Sequence, residues 1–347
     1  MRATLLLVIA VLSSALSVSA QEKRTRGPAR IGIVSAFGAE ADLLIANTEH
    51  RREVVIHGNP YATGVLRGHR VVIVLSGVSI VNAAMTTQVL LDHFPIDRLI
   101  MSGIAGGIDP ENHVGDVLIP ASWAQPLEVY WNGDGNLPIP CGAPGDLTCL
   151  GLSIATADEL GAMSAEPLAP VTLTGLSAGG VCDVEPGLFM RKTFVRNAAS
   201  PPEGEYKLLF PVDPEMFAVA STLAPALERC GTPLGAVEPL CVSTQPALRV
   251  GGVGVSGPAF LANPQYRDYL SDVLDAQAVD METAALAQVA YANEVPYLAI
   301  RSLSDLAGGD DFTDVGAFFG SGLAETNEAA VTFAFLDAWP GPRTRAR

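Results

Sequence analysis

The sequence predicts an α/β fold with a largely parallel sheet covered by helices on both faces. Short apolar runs of strand length alternate with segments whose apolar residues fall at helical spacing. From residue 265 to residue 338 the order is helix, strand, helix, strand, helix. Strands joined through helices are parallel, buried on both faces and linked by right-handed crossings.

The elements follow in chain order. Order starts at Arg30, and Ile31-Gly32-Ile33-Val34 is a short buried strand followed by a helix over 39–46. The β-rich runs 61–65 and 71–75 flank Arg67-Gly68-His69 and form a hairpin. Residues 81–93 carry apolar side chains at helical spacing. Residues 99–102 form a second buried strand that ends at Gly103, and 117–119 a third, closed by Pro120. The stretch from about 133 to 207 is rich in Gly, Pro and Ser and lacks sustained periodicity. It reads as a long insertion with short elements of its own. Asp213-Pro214 opens a helix to about Glu228, with Asp as the cap and Pro in the first helical position. Strand character returns over 234–242. Next come a helix (265–274), a strand (278–281), a helix (282–293), a strand (297–302) and a last helix (324–338).

Composition narrows the function. The 347 residues hold 21 Lys plus Arg and 37 Asp plus Glu, a net charge of −16, which repels a phosphate backbone and argues against nucleic acid as a partner. With 49% apolar and 17% charged residues the chain builds a core rather than a disordered tail.

Arg2, the apolar stretch 5–12 and Val18-Ser19-Ala20 before Gln21 read as a signal peptide over 1–20. That stretch is too short for a membrane span. A polar, basic linker (21–29) leads to one domain (30–339) and a frayed tail (340–347). The expected product is soluble and exported, periplasmic or extracellular. The five cysteines fit an oxidising compartment. Cys141–Cys149 and Cys230–Cys241 are candidate local bridges that leave Cys182 over, and any four cysteines allow three connectivities. None has C-x-x-C spacing, so no zinc site is expected.

In parallel sheets ligands bind beyond the carboxyl ends of the strands. Glu40 follows the first strand, Gly103-Ile104-Ala105-Gly106-Gly107 the strand at 99–102, Glu282 the strand at 278–281, and Ser304-Asp305 the strand at 297–302. Three carboxylates and a Gly-rich turn therefore meet on one rim. Carboxylates crowded in a cleft raise at least one pKa and keep a proton donor available near neutral pH. Each residue also has a plainer use. Glu40 and Glu282 suit helix starts, Asp305 could bond its own loop, and the glycines could form a tight turn.

Val279-Asp280-Met281-Glu282-Thr283-Ala284-Ala285 and Val295-Pro296-Tyr297 running on to Arg301-Ser302-Leu303-Ser304-Asp305 resemble the signature of the nucleoside phosphorylase superfamily, in particular its 5′-methylthioadenosine/S-adenosylhomocysteine nucleosidases. The segments 31–40, 76–78, 102–107, 114–117 and 256–261 add to the likeness, which spans roughly 30–120 and 210–335. The resemblance implies a single-domain three-layer sandwich with a central mixed, partly barrel-like sheet. It also implies cleavage of an N-glycosidic bond to a purine without a cofactor, in a homodimer. Residues near Trp123, Val129 and Trp131 are the candidate interface.

The same resemblance implies roles. Asp305 is the general acid at the purine N7, positioned by Ser304. Glu282 binds the ribose hydroxyls, with Met281 beneath the ring. Glu40 orients and deprotonates the attacking water, with Arg301 close by. Phe260 stacks on the base, the Leu261 backbone reads its edge, and Ala105 and Gly106 line the base side. Ile104 stands where these nucleosidases usually carry a Ser or Thr that helps hold the water. The phosphorolytic branches need an anion site at positions occupied here by Met101 and Ile104, neither of which binds phosphate. Hydrolysis is the expected reaction. A purine nucleoside phosphorylase and a non-catalytic exported nucleoside-binding protein remain the alternatives.

Overall fold

The computed structural model describes residues 27–132, 187–232, 237–308 and 321–340. The leader, residues 21–26 of the linker, residues 133–186 of the insertion with Cys141, Cys149 and Cys182, and the tail from 341 lie outside the described residues.

The chain opens with β1 (Arg30–Ser35), α1 (Gly38–Ala46), β2 (Glu49–Ile56), β3 (Asn59–Leu66), β4 (His69–Leu75), α2 (Ile80–His93) and β5 (Ile96–Gly107). Short strands follow: β6 (Val117–Ile119), β7 (Ser122–Ala124), β8 (Val129–Asn132), β9 (Gly187–Met190), β10 (Thr193–Val195), β11 (Glu205–Lys207) and β12 (Phe210–Pro211). After α3 (Pro214–Ala220) come β13 (Cys230–Gly231), β14 (Leu240–Cys241), β15 (Leu248–Val250) and β16 (Val253–Ser256). The remainder is α4 (Pro264–Leu274), β17 (Ala276–Asp280), α5 (Thr283–Ala292), β18 (Tyr297–Asp305) and α6 (Leu323–Ala338).

A twelve-stranded mixed sheet organises the molecule, in the order β12-β7-β16-β17-β5-β1-β4-β3-β2, with β18, β6 and β15 branching from β5. The branch is possible because β5 is long. Residues 96–101 pair in parallel with β1, residues 99–106 in parallel with β18, and Gly106 and Gly107 pair antiparallel with β17. Helix α1 packs on α6, which lies over β5 and β18, and α2 packs on α5. Thirty or more apolar side chains, among them Ile33, Leu44, Leu99, Ile300 and Phe335, are fully enclosed between these layers.

Several sequence expectations need correction. Residues 103–107 are not a turn; they continue β5, paired along its length. Glycine at 103, 106 and 107 lets neighbouring side chains lie against the strand where a Cβ would collide. Strand β18 likewise runs on to Asp305 instead of stopping at Ser302. The helix opened by Asp213 ends at Ala220 rather than about Glu228; Pro225 bars a helix from running through to that point. Asp213 caps it as expected, accepting from the Glu215 and Met216 N–H groups. The strand expected over 234–242 is the two-residue β14, paired with β13 so that Cys230 faces Cys241, and the two are joined in a disulfide. Strand β2, with sequence EHRREVVI, is an edge strand that its charge hides from periodicity. Trp123 is fully buried, its ring against Gly254, so it forms no surface patch; the side chain of Trp131 lies outside the described residues.

Candidate active site

The carboxyl ends of β1, β5, β17 and β18 converge on a cavity of about 240 Å³. Glu40, Ile104, Ala105, Gly106, Phe260, Leu261, Met281, Glu282, Ser304 and Asp305 all line it. Arg301 alone among the sequence-derived site residues does not; it lies behind the wall, fully enclosed.

Glu40 sits in the first turn of α1. One carboxylate oxygen accepts from the Ala36 and Phe37 N–H groups (2.5 and 3.3 Å), and the other from the Ile104 N–H (2.8 Å). Glu40 thus stands in the first turn of α1 and lines the cavity at once. Burial drives its pKa above the usual carboxyl range, against the opposing pull of Arg301 and of these N–H groups.

Glu282 precedes α5, where an acid would ordinarily cap the helix. Asp280 takes that work instead, its Oδ1 accepting from the Glu282 and Thr283 N–H groups, each at 3.1 Å. Glu282 is left to reach the cavity, where its Oε1 accepts from the Ser79 N–H at 2.7 Å. Ser79 adopts φ of 85°, a left-handed conformation uncommon for serine, which aims that N–H across from α2. Burial and the neighbouring Asp280 charge raise Glu282 to about 7.

Arg301 ties the acids together. Its Nη2 lies 2.6 Å from Asp280 and 3.4 Å from Glu282, its Nη1 3.6 Å from Glu40, and its Nε donates to Thr283 Oγ1 at 3.1 Å. A Cβ on Gly103 would strike both Glu40 and Arg301, so glycine there admits the ion pair. Asp280 is the residue that sequence reasoning missed. Its signal was period-two alternation: it lies two positions before Glu282 at a strand end, and its oxygens also accept from Ser256 Oγ (2.5 Å) and from Thr283 Oγ1.

On the opposite wall a bulge in β18 sets Asp305. Leu303 pairs with Ala105 and Asp305 with Gly106, so Ser304 is the extra residue. Bulges re-aim side chains in this way beside functional sites. Ser304 Oγ bonds both Asp305 Oδ2 (2.9 Å) and the Ala105 carbonyl (3.2 Å), and the Ala307 N–H donates to Asp305 Oδ1 (2.9 Å). A Cβ on Gly106 would come within 2.9 Å of that Oδ1. Phe260, half exposed, and Met281 also line the cavity.

Among the described residues no cluster of His, Cys, Asp and Glu is arranged to hold a metal ion, and none lining the cavity is Lys or Arg.

Fold and site together define an α/β protein with a cavity lined by four carboxylates at the carboxyl ends of its strands. The chain belongs to the phosphorylase superfamily, whose family model matches residues 30–170 and 177–334. A 5′-methylthioadenosine/S-adenosylhomocysteine nucleosidase of Mycobacterium bovis is 26% identical over 302 residues, covering 85% of this chain and 93% of the relative. The structure of an enzyme of that name from S. pneumoniae, bound to the transition-state inhibitor MT-ImmA, has a TM-score of 0.57 at 24% identity and covers 89% and 99% of the two chains. Futalosine hydrolase of Helicobacter pylori has the same fold, with a TM-score of 0.56 at 18% identity over 89% of this chain and 98% of its own.

Proposed function

We propose that this protein hydrolyses the N-glycosidic bond of a purine nucleoside, 5′-methylthioadenosine or S-adenosylhomocysteine, and releases adenine. One observation carries the reading: Asp305 and the pair Glu40–Glu282 face a single cavity from separate strand ends.

Asp305 gives its proton to N7 of the purine, and the C1′–N9 electron pair leaves with the base. The ribose becomes an oxocarbenium-like cation. Glu282 accepts hydrogen bonds from the ribose hydroxyls and sets negative charge beside that cation. Water held at Glu40 attacks C1′ and passes its proton to the Glu40 carboxylate. The raised proton affinity of Glu40 suits a base working near neutral pH. Arg301 acts as a positioning residue: it fixes Glu40, Asp280 and Glu282 without touching the cavity. Phe260 and Leu261 take the base, as do Ala105 and Gly106 on the strand side.

Water rather than phosphate is the nucleophile. A phosphate dianion would face Glu40, Asp280, Glu282 and Asp305 with no lining cation among the described residues. Incubating the protein with 5′-methylthioadenosine and with inosine, each with and without phosphate, tests this. Phosphate-independent adenine release is expected. Release that needs phosphate identifies a phosphorylase, and no release from either identifies a binding protein.

The protein is further proposed to act outside the cytoplasm, without a membrane or nucleic-acid partner. The leader-like residues 1–20 and the Cys230–Cys241 bridge support this reading. It is also proposed to be a homodimer, closed through Val78, Val81 and Met85, which are 48%, 65% and 57% exposed beside the cavity. A monomeric mass by light scattering contradicts that assembly.

A further inference from the structure

We infer that Asn82, which is exposed and lines no part of the cavity, is a positioning residue for Glu282, acting through the peptide unit between Val78 and Ser79. The inference rests on the hydrolase reading and adds a residue to the machinery of the same site.

Residues 76–79 lead from β4 into α2, beside the end of β1. Three peptide units at this corner share one pattern: a donor takes the carbonyl, and the N–H points at a carboxylate. The Ser35 carbonyl accepts from the Ser76 N–H (2.7 Å), and the N–H of the same peptide, on Ala36, donates to Glu40 (2.5 Å). The Ala36 carbonyl accepts from the Gly77 N–H (3.0 Å), and the Phe37 N–H donates to Glu40 (3.3 Å). The Val78 carbonyl accepts from the Asn82 side-chain amide (2.7 Å), and the Ser79 N–H donates to Glu282 (2.7 Å). Hydrogen bonds in series through one peptide polarise each other, so a donor on the carbonyl strengthens the N–H on the far side. In the third unit alone that donor is a side chain, open to substitution without rebuilding the turn.

The third peptide is also held against the preference of its own residue. Ser79 has φ of 85° and ψ of 158°, a region occupied almost only by glycine. If the peptide turned over, its N–H would leave Glu282. The Ser79 carbonyl is fixed by the Ala83 N–H (3.0 Å), but that bond bears on the next peptide along. Asn82 grips the one that carries the N–H. The charged groups acting on Glu282 are Asp280 on β17, Arg301 on β18 and Glu40 on α1, with Asp305 across the cavity. The only charged or titratable residues of α2 are Asp92 and His93 at its far end. What this end of α2 brings to Glu282 is therefore the Ser79 N–H, which favours the ionised carboxylate.

The test is the pH profile of kcat/KM for 5′-methylthioadenosine in the parent, Asn82→Ala, Ser79→Val and Ser79→Gly, with light scattering on each. In Asn82→Ala we expect kcat/KM at pH 7 to fall about tenfold and the acid limb to move up by about half to one pH unit, because the donor favouring the ionised carboxylate is weakened. Ser79→Val should do at least as much, since a β-branched residue does not hold a positive φ. Ser79→Gly takes that φ freely, so it should keep the parental limb and unfold at higher urea. A merely structural role would change stability or activity without moving the limb. An unmoved limb in Asn82→Ala overturns the inference, as does an effect that appears only with loss of the parental mass. So does a limb that moves as far in Ser79→Gly as in Ser79→Val. If Ser79→Val does not fold, Asn82→Ala carries the test alone. Absence of adenine release from the parent overturns the hydrolase reading instead. Calorimetric affinity for 5′-methylthioadenosine across the same pH range then decides: a shifted profile in Asn82→Ala supports the inference, and superimposed profiles refute it.

Discussion

Glu282 shows how one residue acquires its chemistry. Its backbone position is a helix start, its cap duties pass to Asp280, and its carboxylate is held by the Ser79 N–H and by Arg301. Burial and the Asp280 charge bring its pKa to about 7. The ionised form is the one that stabilises a cationic sugar. The acid limb of activity should therefore fall as the pH drops through about 7, about tenfold per pH unit at the limit. A kcat/KM profile between pH 5 and 9 checks this, and a flat profile down to pH 5 would separate Glu282 from the rate. The Glu282→Gln variant should lose the same acid limb along with most of its turnover.

At the scale of elements, the β13–β14 hairpin matters beyond its length. Its disulfide closes a short loop, and Leu240 and Val242 hold the wall that includes Ile104 and Phe37. Replacing Cys230 and Cys241 by Ser should cost about 2–3 kcal/mol of stability on the chain-entropy account. The same change should raise KM for 5′-methylthioadenosine more than it lowers kcat; chemical denaturation and steady-state kinetics measure both. The strand ends were legible in sequence because an acid stands at or just beyond the end of three apolar runs: Glu40 in the first turn of the helix after β1, Glu282 after β17, Asp305 at the end of β18. The Gly-rich stretch was legible as a site but not as a strand, since glycine signals a turn until its pairing is seen. The bulge at Ser304 and the hairpin around Cys241 depend on long-range pairing and leave no local mark. Strand β2 is mostly charged and exposed, so only its partner reveals it.

Across the described residues, buried acids outnumber buried Lys and Arg, of which Arg301 is the one. Besides Glu40 and Glu282, the α6 residues Glu325 and Glu328 are enclosed, and burial holds all four above the usual carboxyl range. Glu328 bonds Ser102, on the face of β5 that α6 covers. The packing of α6 over β5 puts these acids inside. A group that keeps its proton in the fold but releases it on unfolding gives stability that is complete below about pH 4.5 and is lost as the pH rises through the folded value. The protein should thus unfold more easily at pH 8 than at pH 5. The Glu328→Gln variant should be more stable than the parent at pH 8, with the gap closing near pH 4. Urea unfolding at several pH values checks the sign, and a gap that widens on acidification would reverse the assignment.

All three scales meet at Asp305, which the β18 bulge aims, Ser304 and Ala307 hold, and the cavity sets opposite Glu40. Turnover of 5′-methylthioadenosine by Asp305→Asn, measured as adenine release beside a circular dichroism spectrum matching the parent, tests this most directly. The account predicts a fall of about two to four orders of magnitude in kcat with the fold retained. Turnover within a few-fold of the parent would contradict it.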